Sequence, residues 1–261
     1  MDAMDTVKTN HIRGLISKGI REDGRALMDF RKIKLASGFM QNAEGSAQVE
    51  LGETKVLAGI KLDVEEPMED TPDRGNLMVS AELLPIASGS FETGPPSPAS
   101  VEFARVVDRG IRAGNCVDLP SLLIEEEKCW TVFIDLYVLN YDGNLFDAGA
   151  LAAMAALTST RVPKYEDGAA IRTGASTQLK IGNIVTSSTF SKIKSRTVLD
   201  ANGDESAASD CRMTITTDEE KVRAMQKGLS GGFFKGEVEE LVDTAFIKNK
   251  ELRDILKRKA E

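Results

Sequence analysis

Residues Cys129–Ser159 read CWTVFIDLYVLNYDGNLFDAGALAAMAALTS. The first part alternates with period two, so Trp130, Val132, Ile134, Leu136 and Val138 fall on one side of a strand and Phe133, Tyr137 and Leu139 on the other. Both sides are apolar, which predicts a strand covered on both faces. Asp142-Gly143 then breaks the strand with a turn. From about Asp147 to Leu157 most positions are Ala or Gly, predicting an interior helix whose backbone packs close to the sheet. A helix start after a short strand turn offers free N–H groups and the positive end of the helix dipole. It holds an anion well when a hydroxyl and a cation complete it. Asn144, Leu145 and Phe146 occupy the positions where those groups are expected. The scaffold is that of an anion site with its charge removed.

Toward the N-terminus, Val7, Ile12, Leu15, Ile16 and Ile20 predict a short helix packed on the body, followed by a charged turn over residues 20–25. Strand patterns at Ile33–Phe39, Ser46–Leu51 and Thr54–Leu62 predict an antiparallel meander. Val64–Asp73 reads as a loop and Gly75–Pro85 as a strand. Ser97 is a natural N-cap with Pro98 at the first helical position, for a helix Ala99–Ala113 ending at Gly114. On that helix Arg105, Arg109 and Arg112 lie within roughly sixty degrees of one another at 3.6 residues per turn. The residues alone leave two readings open: a phosphate-binding face, or a solvated face partly neutralised by Glu102 and Asp108.

Toward the C-terminus, Val162–Gly168 reads as a turn-rich connection dividing the chain into 1–165, with the N-terminal helical extension, and 166–261. Strands are expected at Thr177–Ile181, Gly182–Phe190, Arg196–Leu199 and Cys211–Thr217, with a loop at Asn202-Gly203. A final helix, Lys235–Lys259, places Val238, Leu241, Val242, Ala245 and Phe246 on one face. Each half thus combines strands with packed helices, an α+β plan used twice.

The chain has 261 residues and a formal net charge of -8, which argues against a stand-alone nucleic-acid binder; any such contact must be local or shared. Cys116, Cys129 and Cys211 are far apart and lack C-x-x-C spacing, so neither a zinc site nor a disulfide framework is expected. His11 is the single histidine, which removes His-based triads and multi-histidine metal sites. There is no P-loop or dinucleotide glycine pattern. No cofactor and no metal are expected. No apolar run reaches the roughly 18 residues of a membrane span, and the first residues lack a signal-peptide core. A cytoplasmic protein without membrane partners is expected.

Four stretches, IREDGRALMDFRKIKL (20–35), GPPSPASVEFARVVDRGIR (94–112), WTVFIDLYVLNYDGNLFDAGALAAMAAL (130–157) and MTITTDEEKVRAMQKGLSGGF (213–233), resemble the RNase PH family in this order. The resemblance is strongest to the non-catalytic RNase PH-type ring subunit of the archaeal exosome. It implies two βαβα-type halves, the first like ribosomal protein S5 domain 2 and the second like the RNase PH C-terminal domain. It also implies a hexameric ring, a trimer of heterodimers in which this chain alternates with a catalytic RNase PH-type subunit. Single-stranded RNA and RNA-binding cap proteins are the further partners so implied.

Active members shorten RNA from its 3′ end with inorganic phosphate, which a Gly-Thr-Arg turn holds; the corresponding residues here are Gly143, Asn144 and Leu145. A hydrogen bond to a charged group contributes about 1.5–3 kcal/mol, so losing a hydroxyl and a guanidinium together is severe. Active members also carry two aspartates six apart in the second half. Asp204 and Asp210 have that spacing and are read as remnant or structural, leaving no catalytic residue. The alternative, an active phosphate-dependent exoribonuclease or tRNA 3′-end nucleotidyltransferase, would use that pair. The resemblance also favours RNA contact for Arg105, Arg109 and Arg112.

Overall fold

The computed structural model describes residues 3–166 and 168–260. Helix α1 (Ala3–Ser17) packs on the body through Ile12 and Ile16. Strands β1 (Ile33–Ser37), β2 (Gly45–Leu51) and β3 (Thr54–Glu65) form the expected antiparallel meander. Next come β4 (Asn76–Leu83), α2 (Pro98–Gly114), a 3-10 turn at Leu119–Leu122, β5 (Leu123–Glu125), β6 (Lys128–Asn140) and α3 (Leu145–Thr158). The remaining elements are β7 (Arg161–Glu166), β8 (Ala169–Gln178), β9 (Thr186–Ile193), β10 (Arg196–Leu199), α4 (Gly203–Ala207), β11 (Cys211–Thr217), β12 (Val222–Gly228) and α5 (Lys235–Ala260).

The first sheet has the order β1-β2-β3-β6-β4, with β4 parallel to β6 and β5 attached to β6; the second has the order β10-β9-β11-β12. Helix α3 lies between the two, packing on β2 and β3 in one direction and on β9 in the other, and α5 packs on β9 and β11. From Phe146 to Leu157 every residue of α3 is buried, as its small side chains require of a helix between two sheets. Val132, Ile134, Leu136 and Val138 join it in one apolar core. The opposite face of β6 is only half-buried at Phe133, Tyr137 and Leu139. Lys61 stands opposite Phe133, and Glu82 pairs in register with Tyr137. Polar neighbours on the adjacent strands thus leave that face uncovered, unlike the two-sided burial expected from β6 alone.

Other departures have local causes. Ser97 and Pro98 start α2 as expected, but its left-handed cap is Asn115, with φ 49°. Gly114 lies inside the helix, where a Cβ would come 2.5 Å from Val185. Residues 162–166 are strand, in a hairpin that accommodates Pro163 at a register shift; Asp167 lies outside the described residues. The strand expected at Thr177–Ile181 is divided between the end of β8 and a bridge from Ile181 to Val117. The loop signal Asn202-Gly203 is a helix start, with Asn202 and Glu205 forming a capping box.

Packing of α2 on α3 depends on Gly149, where a Cβ would fall 2.3 Å from the ring of Phe103, itself 1% exposed. Gly149→Val should therefore destabilise the fold by about 1–3 kcal/mol through overpacking. A lower urea midpoint with unchanged slope would show this; an unchanged midpoint would mean that the α2–α3 contact yields freely.

Candidate functional site

The turn between β6 and α3 is fixed from below and from the side. Thr54 Oγ1 accepts from the Asp142 N–H at 3.1 Å and donates to the Gly143 carbonyl at 2.6 Å. Gly143 has φ +78°, and a Cβ there would lie 2.5 Å from the Ala201 carbonyl oxygen, so only glycine fits against the second half. Asn144 follows in the left-handed region, φ 48°, which asparagine tolerates. Its Oδ1 accepts from Asp147 N–H, and its Nδ2 donates to Asp147 Oδ2 at 2.8 Å and to Asp200 Oδ1 at 2.7 Å.

Asp200 is fully buried and is the hub of this cluster. Arg31 donates to it from backbone N at 2.8 Å, Nε at 3.0 Å and Nη2 at 2.8 Å, and Arg25 Nη1 approaches at 3.2 Å. Burial works to raise the Asp200 pKa, but the Arg31 hydrogen bonds and charge hold it below the ordinary 3.8. Arg31 also donates to Asp142 Oδ2 at 3.1 Å, joining the turn to the same carboxylate. Next to it, Arg21 is 2% exposed and meets Glu205 through Nε at 2.8 Å and Nη2 at 2.5 Å. The charged segment 20–25 therefore runs into the interior.

Asp147, in the first turn of α3, accepts from Thr189 N–H at 2.9 Å and lies 2.7 Å from Thr189 Oγ1. Burial pushes its pKa from 3.8 up to about 7, against the lowering effect of its hydrogen bonds from Asn144 and Thr189. The negative charge that the start of α3 invites is supplied from within the protein by Asp200, and Asn144 links it to the Asp147 carboxyl group. A single acid in an Ala-rich buried helix was the sequence signal for this cluster. Nothing local marked Arg31 or Asp200.

Beside the turn opens a cavity of about 360 Å³, lined by Asn144, Leu145, Phe91, Tyr141, Phe146 and Arg212 among others. Arg212 is the one cation among its lining residues, and its Nη2 already donates to Glu102 at 2.6 Å. Asp204 and Asp210 do not line it. Asp204 faces Lys8 Nζ at 3.4 Å, while Asp210 accepts from Arg13 Nη2 at 2.6 Å and Lys194 N–H at 2.7 Å. Both thereby tie α1 to the second half, and Asp210 also holds the turn between β9 and β10.

The three arginines of α2 divide. Arg105 and Arg109 line one groove with Gln226, whose Oε1 accepts from Arg109 at 2.5 Å. Arg105 forms no ion pair or hydrogen bond among the described residues. Arg112 lines a separate groove with Arg74, bonds Asp108 at 2.7 Å through Nε and donates to the Leu77 carbonyl. The three cysteines are buried free thiols, and burial pushes Cys116 up to about 12.

A meander joined by a parallel strand, a helix shared between two sheets and a second four-stranded sheet define an RNase PH-like α+β protein. Comparison with known proteins agrees with the geometry. The 3′ exoribonuclease family patterns match twice, domain 1 over residues 29–163 and domain 2 over residues 183–248. The chain belongs to the RNase PH, or 3′ exoribonuclease, family. It is 46% identical to the exosome complex component Rrp42 of Thermococcus gammatolerans, over 98% of this chain and 96% of that protein. With Rrp42 of Archaeoglobus fulgidus it shares 42% identity over 98% of each. Among solved structures it matches a chain of the A. fulgidus exosome with RNA bound to the active site, at TM-score 0.92 and 41% identity, covering 97% of this chain and 99% of that one. A chain of an archaeal exosome core matches at TM-score 0.87 and 38% identity, covering 97% and 98%.

The buried acid gives a pH signature. Because the folded pKa of Asp147 exceeds 3.8, the folded state binds the extra proton, and its stabilising contribution is complete below about pH 4 and is lost as pH rises through about 7. Asp147→Asn keeps the shape but cannot ionise. Urea unfolding between pH 4 and 7 should show the variant gaining on the wild type as pH rises. A constant difference would place the Asp147 titration outside this window.

Proposed function

We propose that this chain is a non-catalytic ring subunit of a 3′-to-5′ phosphorolytic exoribonuclease of the archaeal exosome type. It alternates with a catalytic RNase PH-type subunit as a trimer of heterodimers, supports that subunit's active site and receives single-stranded RNA and cap proteins. Its two halves, 1–165 and 166–261, act as the two domains of one ring segment in the cytoplasm. No helix among the described residues is long and apolar enough to cross a membrane.

The observation that carries this reading is the carboxylate cluster at the start of α3, where Asn144 is bonded to Asp147 and Asp200. Phosphate brought there would meet Asp200, already ionised and paired, with no free cation in the adjoining cavity. The engagement of Asp204 and Asp210 with α1 and the 194 turn weighs against the alternative, an active exoribonuclease or tRNA 3′-end nucleotidyltransferase built on them. A ring assembled from this chain and a partner lacking the arginine of its Gly-Thr-Arg turn should show no phosphate-dependent RNA shortening. Persistent turnover would overturn the proposal.

RNA contact falls to Arg105 and Arg109, which share an open groove, with Arg112 contributing less because Asp108 and the Leu77 carbonyl hold it. Changing Arg105 and Arg109 to Ala should weaken RNA binding by the ring and flatten the log–log salt slope by about 1.4, since each phosphate contact on a single strand accounts for roughly 0.7. An unchanged slope would return that face to solvent. Sequence preference should be slight, because backbone contacts carry no base information.

A further inference from the structure

The first sheet is covered on one side only. In the second sheet Phe190 and Ile215 turn toward α5 while Thr189 meets Asp147 of α3, so each face has a helix. The first sheet carries α3 on its inner face. On its outer face Leu57, Phe133 and Tyr137 are half-buried and Met78 is 44% exposed. Strand register gives this outer face a furrow. Gly59, Asp135 and Ser80 stand in line across β3, β6 and β4, and a Cβ on Gly59 would meet nothing within 4 Å. The rows on either side are taller, with Leu57, Tyr137 and Glu82 on one and Lys61, Phe133 and Met78 on the other. Acids and bases pair across the rest of the face: Glu50 lies 2.9 Å from both Lys34 and Lys55, and Glu44 lies 3.0 Å from Lys61. The furrow is different. Asp135 and Glu82 form no ion pair among the described residues, and the Asp135 carboxylate receives only the Ser80 hydroxyl, at 2.6 Å. Burial, and after it the charges of Glu82 and Asp135, hold the Tyr137 phenol above its ordinary 10.

We infer that this outer face receives the catalytic ring partner, which sets an arginine or lysine in the furrow, against the carboxylates of Asp135 and Glu82 and between the rings of Phe133 and Tyr137. Alternate residues of a strand lie about 7 Å apart on one face, so both rings flank Asp135. That spacing lets one guanidinium stack on a ring and bond the carboxylate. Leu57 and Met78 add the apolar area of an interface core. The charge pattern disfavours other occupants. RNA would bring phosphates to two unneutralised carboxylates. A second copy in a two-fold contact centred here would set those same carboxylates face to face. A different polypeptide bearing a cation meets neither obstacle, and the alternating ring supplies one. The inference rests on that ring reading, and the test separates the two.

The full chain is mixed with its catalytic partner, and assembly is followed by analytical ultracentrifugation over a concentration series. Gly59→Leu fills the furrow and Asp135→Lys reverses its charge. Each should weaken assembly by about tenfold or more, the loss of a charge-assisted hydrogen bond across an interface. Glu82→Lys, on the exposed side of the edge strand β4, should act in the same direction and serves if either of the others does not fold. In the assembled ring, a photoreactive benzoylphenylalanine in place of Met78 should cross-link to the catalytic subunit. Assembly undiminished in the folded variants overturns the inference and leaves the ring reading standing. So does the absence of a cross-link, or a cross-link to RNA, to a cap protein or to another copy of this chain in place of the catalytic subunit. Failure of the unaltered chain to assemble with the partner overturns both.

Discussion

The carboxylate of Asp200 is the constraint on which the architecture around the site depends. It is fully buried, and an isolated buried anion is prohibitively unfavourable unless charged and polar donors surround it. Arg31 reaches it from the segment leading into β1, Arg25 from the charged turn, and Asn144 from the start of α3. Segments 25–31, the start of α3 and residue 200, far apart in sequence, are thereby brought to one point. Removing any one donor would strand part of a buried charge, so the two halves hold one relative placement at the turn. The Gly143 contact with Ala201 has the same effect without charge, since backbone meets backbone there with no room for a side chain.

This arrangement also explains why an anion-binding scaffold can persist without binding an anion. The positive end of α3 faces Asp147 in its own first turn and Asp200 one asparagine away. Asp200, whose carboxylate Arg31 keeps ionised, supplies the negative charge favourable near a helix start, so the dipole is compensated internally. The neighbouring second sheet is unusual for an interior element, because β9 carries Thr186, Ser187, Ser188, Thr189 and Ser191, all buried. Most of these hydroxyls are satisfied within the protein: Ser187 with Thr216 at 2.8 Å, Ser188 with Asn249 at 2.6 Å and Thr189 with Asp147 at 2.7 Å. Ser191 stands apart, at the cavity. A net charge of -8 is compatible with RNA contact when the free cations are grouped, as Arg105 and Arg109 are in their groove.

Periodicity made the central elements legible: β6, the turn and α3, the meander, the Ser97–Pro98 helix start and α5 each carry a pattern of period 2 or 3.6 or a capping signature. The four quoted motifs carried the family. What could not be read were interactions between distant segments. Arg21, Arg31 and Asp200 look like surface charges in sequence, because only the folded chain brings residues 31 and 200 together. Val222–Gly228 forms β12, an edge strand without clean alternation to announce it, and β9 starts at Thr186 and runs to Ile193, a shift of the strand expected at Gly182–Phe190. Arg112 was grouped with Arg105 and Arg109 by helical angle, yet the Leu77 carbonyl and Asp108 draw it into a different groove.

The central claim is that the chain's own carboxylates hold the position that an active relative gives to phosphate. Crystals of the full chain soaked in phosphate test it directly. The expected result is an intact Asn144–Asp200 hydrogen bond, 2.7 Å here, with no anion at the start of α3. A phosphate seated on the first amides of α3, with Asp200 turned away from Asn144, would contradict it.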